Sequence, residues 1–490
     1  MEIKHLNFQK TGITIGEIFS LYNIMEHDKI LNGIQINPLS FVDEGIDNCF
    51  NILKNRFKIN AIFVCTVSWL ALKIGRSISY EYDGWPDHGI SESIDLKGGA
   101  YFRPNPKYYT QTLIKDFYTQ DQIFQDKDIL SDIIKVAKQN DIKVYIELME
   151  PFFKYEGHGS IQSVDIPNIV NCMETDLYGR TGSDPSTFNK DYRNWIKAIV
   201  EDQCKSYKID GVMWCNERCS PLDQLIQGNV PTDFSNDMLD YASRNNINVD
   251  SVKKAFITVI NQLENSDNDF DIIKFINLIL YNPEILIWEK LWLENNKNLD
   301  KELYGLVKWI DKDLEFGLNI WNRNHFNPIR KAQWPWDEVT KYCDWVKPIT
   351  YQHQGGSIYK KEITYWNKRL LKNYDKNEIL NVFNRILNIE STDWDNLVST
   401  GLNPKSYVYD QCKETVKGVN NTIPVYMGIG VDAPSYNSIQ ARCSPEIVYE
   451  SVKASHKAGA SGFIYSPNYN FMQLKNLDGS VKALNEINKT

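Results

Sequence analysis

The sequence predicts an α/β fold, a (β/α)8 TIM barrel with long βα loops and an inserted helical subdomain. Eight short apolar runs alternate with amphipathic helical segments along the chain, the signature of a parallel sheet wrapped in helices. The runs are rich in β-branched residues and apolar on both faces, as buried parallel strands are. No glycine-rich dinucleotide or phosphate loop follows the early strands, which favours a closed barrel over a doubly wound open sheet.

Taken in order, Ile34 to Asn37 is a first strand, followed by a helical pattern from about Phe41 to Phe57. Ala61 to Ser68 (AIFVCTVS) is the second. A long stretch punctuated by Trp85, Pro86, Asp87, His88, Gly98, Gly99, Pro104 and Pro106 then reads as a functional loop. Asp128 to Gln139 is a helix, and Lys143 to Met149 (KVYIELM) the third strand, ended by Glu150 and Pro151. A polar loop with His158, Gly179 and Gly182 leads to a helix from Tyr192 to Tyr207 and a fourth strand from Ile209 to Trp214, which runs into Asn216, Glu217 and Arg218. Residues 233–313 read as helix after helix, an insertion between strands four and five expected to act as a lid. Strand five is Leu314 to Trp321, with a short helix at Trp336 to Tyr342; strand six is Asp344 to Tyr351, followed by helical material at Asn377 to Leu387. Strand seven, Pro424 to Val431, is closed by Asp432, and a helix from Glu446 to Ala458 leads to strand eight, Gly462 to Ser466, and a last helix from Gln473. All 490 residues are read as one barrel domain.

Composition is that of a folded protein, 42% hydrophobic and 24% charged without blocks of like charge. A net charge of −9 and the lack of a basic patch argue against nucleic acid or an anionic membrane surface as partner. Nine irregularly spaced cysteines read as small core residues; Cys215 and Cys219 flank Glu217, but no second pair completes a zinc site. The N-terminus shows no secretory signal and no run spans a bilayer. The expectation is therefore a cytoplasmic protein as written, or a periplasmic or secreted one if a signal has been removed. Oligomeric state is not readable from the sequence.

Barrel enzymes carry their chemistry at the C-terminal ends of the strands. Three carboxylates fall there: Glu217 after strand four, Asp432 after strand seven and Glu150 after strand three. Cleaving a glycosidic bond needs one carboxyl to protonate the departing oxygen and a second to attack or to activate water. Each also has a structural reading: an ion pair with Arg218 for Glu217, a structural acid before Pro151 for Glu150, and a turn cap before Pro434 for Asp432. Trp69, Trp85, Trp214, Trp321, Tyr351 and Tyr465 fall at the same ends, where flat rings either stack on sugars or pack the barrel. Asn216, Arg218, His88 and His353 are candidates to bond hydroxyls. His88, His158 and His353 with Asp83, Asp87 and Glu150 offer oxygen and nitrogen ligands, but no His-x-x-His spacing supports a metal, and no cofactor is expected.

Asn216-Glu217 after strand four with a carboxylate after strand seven resembles the large clan of retaining barrel glycosidases. That resemblance implies Glu217 as acid/base, Asp432 as nucleophile and Tyr351 as the tyrosine that orients it. The clan's nucleophile is usually Glu; Gly428 and Gly430 would let strand seven bulge to bring the shorter Asp432 inward. Four stretches are also similar to uncharacterised glycoside-hydrolase-like bacterial barrels: GWPDHG at 84–89, GGAYFRPNPKYY at 98–109, NER-x-x-PL at 216–222 and AGASGFIYSPNY at 458–469. The implied function is hydrolysis of a glycoside or oligosaccharide, retaining with Asp432 or inverting with Asp432 or Glu150 as base. A metal-dependent sugar isomerase, epimerase or lyase, and a non-catalytic sugar-binding barrel, are alternatives on the same fold.

Overall fold

A computed structural model describes residues 30–69, 86–89, 97–125, 127–151, 166–265, 271–391, 393–433 and 441–489, together with the backbone of the strand pair Leu72–Ile74 and Ile94–Leu96. Trp85, Asp83 and His158 lie outside these residues. Eight parallel strands close into a barrel in chain order. They are β1 (Leu31–Ile36), β2 (Ala61–Cys65), β3 (Lys143–Met149), β4 (Gly211–Cys215), β5 (Glu315–Ile320), β6 (Trp345–Thr350), β7 (Tyr426–Gly430) and β8 (Gly462–Ser466). The second expected strand is shorter than its apolar run, because Val67–Ser68 leaves the barrel to pair with Gly99–Ala100. Gly99 has φ +101°, and a Cβ there would lie 2.9 Å from the Phe117 carbonyl oxygen, so this crossing takes only glycine.

Alternation along each strand sorts the barrel into two compartments. Phe63, Tyr145, Met213, Trp345, Tyr426 and Ile464 point inward and form a separate apolar cluster. Within it Phe63 stacks on Tyr145 at 4.8 Å, and Trp345 meets both rings edge-on and Tyr426 at 5.4 Å. The opposite parity faces the helices and joins the main core.

Parity corrects two expected substrate contacts. Trp214 lies between the inward Met213 and Cys215, so its ring points out; it is fully buried and donates Nε1–H to Asp300 at 2.8 Å. Tyr465 likewise points out from β8 and is fully buried in the helix-facing core. Trp69 is buried too, packed on Trp195 and donating to the Met149 carbonyl.

Helix α2 (Glu284–Ile310) packs against α1 (Lys190–Ser206) and over β4 and β5, so the last part of the 233–313 stretch is a barrel helix. Its N-terminal end stands on the C-terminal side of the barrel, where Glu289 accepts from Leu222 N–H and from Gln333, residues that follow β4 and β5. Asn236–Arg244, Val249–Glu264 and Ile272–Tyr281 precede it, and Phe234 ties them to it by stacking on Trp288 and meeting Phe256 edge-on.

Removing the central ring of the inner cluster leaves a cavity that its rigid strands cannot close. Trp345→Ala is expected to cost about 3–5 kcal/mol, read as a lowered urea midpoint. An unchanged midpoint would show that the inner cluster does not hold the barrel.

Candidate active site

Above the aromatic layer the barrel interior becomes polar. Gln35 of β1, Glu147 of β3, Asn319 of β5 and Lys347 of β6 all continue the inward parity, and all are buried. Lys347 Nζ donates to Gln35 Oε1 at 2.6 Å and to Asn319 Oδ1 at 3.0 Å. Gln35 Nε2 in turn donates to Glu147 Oε1 at 2.5 Å, and Asn319 Nδ2 to Glu217 Oε1 at 3.4 Å. Glu217 lies two residues past Cys215, so the same parity turns it into the mouth, where the residue is partly exposed.

Desolvation governs the charges here. Burial pushes Glu217 up to about 7, against Lys347, Arg330 and Arg323. It also pushes Glu147 up to about 7, against Lys347 and Gln35, with Glu217 adding to the rise. Lys347 is lowered by the same burial. Tyr351, just past β6, meets Ser466 and is held neutral by burial and by the fields of Glu217 and Glu147. Carboxyls raised this far hold protons near neutral pH, which suits general acid work.

The other sequence-predicted acids are engaged elsewhere. Glu150 accepts two hydrogen bonds from Arg218, both 2.7 Å, and one from the Tyr192 hydroxyl at 2.7 Å. Arg218 also donates to Glu174 at 2.9 Å, and all three side chains are at most 4% exposed. Glu150, read from the sequence as a catalytic base, and Arg218, read as a hydroxyl ligand, are here bonded to each other. Asp432 sits at φ +49° and accepts from Gln473 N–H at 2.7 Å and from Asn476 at 2.9 Å. It holds the start of α3 (Leu474–Ile487), where a carboxylate complements the helix dipole, so the acid read from the sequence as nucleophile also has a structural task. Burial raises it to about 6, with Asp87 and Lys475 as its charged neighbours.

Asp87 binds the same helix start through Leu474 N–H and Lys475 N–H. His88 is clipped between Glu44 Oε1 at 2.7 Å and the Met472 carbonyl at 2.9 Å, so neither ring nitrogen is free for a sugar hydroxyl. His353 is buried and lowered by burial to about 4; its neutral Nε2 accepts from Ala433 N–H at 3.0 Å. It braces the loop after β7, although Nδ1 has no protein partner.

Asn216 turns away from Glu217, bonding Asp300 on α2. With Trp292, Asp300, Trp321, Arg330 and Trp334 it lines a cleft between α2 and the loop after β5. Arg323 and Arg330 lie over the Trp321 ring, 4.9 and 4.7 Å from its centre. Cys215 faces the barrel interior while Cys219 meets Arg323 and Arg330, so the two thiols do not form a pair. Among the described residues no three His, Cys, Asp or Glu side chains come together as a metal site.

Sequence reasoning missed Glu147, Lys347, Gln35 and Asn319. The signal was present as single polar residues inside otherwise apolar strands, KVYIELM and DWVKPITY above all. A charge at the centre of a buried strand needs a partner across the barrel.

Arg218→Met leaves Glu150 and Glu174 buried without their shared cation and is expected to destabilise by about 3–5 kcal/mol at neutral pH. Glu174 is already held well above its ordinary range by burial and Arg218 restrains that rise, so the deficit grows as pH rises through the raised folded-state value and shrinks below it. Urea midpoints at about pH 5 and pH 8 test the sign; equal deficits at both would refute it.

No protein-family model and no curated protein matches the sequence. In structure the chain is similar to the β-galactosidase of the psychrophilic Marinomonas ef1, with 10% identity and a TM-score of 0.50 over 93% of this chain and 59% of that one. It is also similar to the PgaB (BpsB) glycoside hydrolase domain of Bordetella bronchiseptica, with 12% identity and a TM-score of 0.49 over 90% and 95%. A third likeness is to α-L-fucosidase isoenzyme 2 of Paenibacillus thiaminolyticus, with 12% identity and a TM-score of 0.49 over 94% and 49%. The chain thus spans nearly all of the PgaB domain and about half to three fifths of the other two. At these identities the likeness is one of fold, a closed (β/α)8 barrel.

Proposed function

We propose that the protein is a glycoside hydrolase in which Glu217 is the proton donor. One observation carries this reading: Glu217 is a carboxyl at the C-terminal mouth of a closed barrel, turned inward, and still protonated in part near neutral pH. As the glycosidic C–O bond breaks, such a carboxyl gives its proton to the departing oxygen, and the carboxylate left behind is stabilised by Lys347, Arg330 and Arg323.

The second acidic group in this reading is Glu147, not Asp432 or Glu150. In its ionised form it places negative charge beneath the mouth, which favours the positive charge that develops at the anomeric carbon. Tyr351, at the end of β6, is the aromatic surface for a sugar ring, since Arg323 and Arg330 already lie over Trp321 at the end of β5. The helices Asn236–Arg244, Val249–Glu264 and Ile272–Tyr281, tied to the N-terminal half of α2 through Phe234, are the candidates for a wall beside the mouth. The substrate is a carbohydrate, and the polar interior suits a hydroxyl-rich ligand.

Glu217→Gln is expected to lose ~10²–10⁴ in turnover on glycosides with poor leaving groups while keeping the wild-type unfolding midpoint. Activity of the unmodified enzyme falls as pH rises through about 7, because Glu217 then gives up the proton it must donate. Asp432→Asn keeps most turnover and loses ~0.5–2 kcal/mol of stability as a weakened helix cap. A panel of aryl glycosides and oligosaccharides supplies the assay. Full turnover by Glu217→Gln, or its collapse in a well-folded Asp432→Asn, would overturn the assignment.

A further inference from the structure

Between the two carboxyls lies a continuous chain of side chains: Glu147, Gln35, Lys347, Asn319, Glu217. We infer that Lys347 is a positioning residue that joins Glu147 and Glu217, through the amides of Gln35 and Asn319, into one unit that shares a single proton. The inference deepens the hydrolase reading and rests on it for its kinetic consequence, though not for its structural one.

The orientation of both amides follows from the ammonium. Lys347 has three donors and no acceptor, so only Gln35 Oε1 and Asn319 Oδ1 can face it. Each amide is thereby fixed with its NH2 group toward a carboxylate. One cation thus aims two donors at two acids carried by neighbouring strands, β3 and β4. Replacing Lys347 by an apolar residue would free both amides to turn over and present oxygen to oxygen.

Charge balance gives the proton count. Of the groups that face this chain, the Cys65 and Cys215 thiols and the Tyr351 hydroxyl are all held neutral by burial. Arg323 and Arg330 also bear on Glu217, but each is ion-paired with a carboxylate of its own, Glu362 and Asp223, so they are matched charges at the rim and Lys347 is the unmatched cation of the interior. Inside the barrel this leaves one ammonium against two carboxyls, and a desolvated site with that ratio retains one proton. Burial raises both acids to about 7, so the proton is shared by the pair rather than fixed on one of them.

Carboxyl titration followed by ¹³C NMR tests this without reference to turnover, with Glu147→Gln and Glu217→Gln assigning the signals. In the unmodified protein each of the two carboxyls should show two inflections, the mark of coupled sites. Lys347→Met should move both upward by roughly tenfold or more in proton affinity, because the cation that favours the ionised forms is gone. Asn319→Ala should raise Glu217 and leave Glu147 titrating in one step, and it decides the matter if Lys347→Met does not fold. In kinetics, both limbs of the pH profile of Lys347→Met move to higher pH, whereas a purely structural role would lower activity with the limbs in place. Single, independent inflections in the unmodified protein, or carboxyls unmoved by both variants, would overturn the proposal. If the titrations behave as expected and no glycoside is cleaved, the coupled unit stands and the hydrolase reading falls.

Discussion

An ammonium enclosed by eight parallel strands cannot remain charged unless acceptors meet it, and the barrel supplies them from both sides of Lys347. That requirement propagates through the interior. Gln35 and Asn319 must sit at the level of the ammonium, Glu147 must follow Gln35, and Glu217 must follow Asn319. Below this layer the rings of Phe63, Tyr145 and Trp345 fill the barrel and keep water out, which strengthens every charge interaction above them. The aromatic layer and the polar layer are therefore one design: the first sets the dielectric in which the second works.

At the rim the opposite rule applies, and charges are matched locally. Arg218 satisfies Glu150 and Glu174, Arg330 satisfies Asp223, and Arg323 satisfies Glu362. Asp87 and Asp432 both hold the start of α3, while Glu44 fixes His88 and Tyr469. Much of what makes the loop motifs conspicuous is this bracing. GWPDHG supplies Asp87 and His88; GGAYFRPNPKYY supplies the buried Tyr101, Phe102 and Tyr109; the eighth-strand stretch supplies Tyr469. With these groups engaged, Glu217 is the mouth carboxyl whose charge is left to the interior.

The barrel was legible in the sequence because burial on both faces of a parallel strand leaves a continuous apolar run, and KVYIELM and GFIYS were placed to the residue. The position of Glu217 was legible for the same reason, since it ends such a run. Side-chain direction was harder to read. Trp214 and Tyr465 lie at strand ends, yet the period of two turns them to the helices, and that depends on strand limits a residue or two finer than the runs give. Asp432 and Glu150 were indistinguishable from catalytic acids in sequence, because their partners Asn476 and Arg218 lie far along the chain from them. Lys347 and Glu147 were overlooked for the converse reason: attention to strand ends passed over charges at strand centres.

Strand seven shows why the acidic pair falls where it does. A Cβ on Gly428 would lie 2.9 Å from Lys347 Cε, and one on Gly430 would lie 2.9 Å from Tyr351. These glycines do not bend the strand to carry Asp432 inward; they leave room for the side chains of β6 to cross the barrel. A bulky carboxylate at either position would collide with the lysine stem or the tyrosine ring. The space that a strand-seven acid needs is thus occupied by the cation that supports Glu147 from strand three. In the proposed reading the second acidic function has moved to β3, and the glycines Gly428 and Gly430 above Tyr426 on the inner face of β7 are the condition for that move.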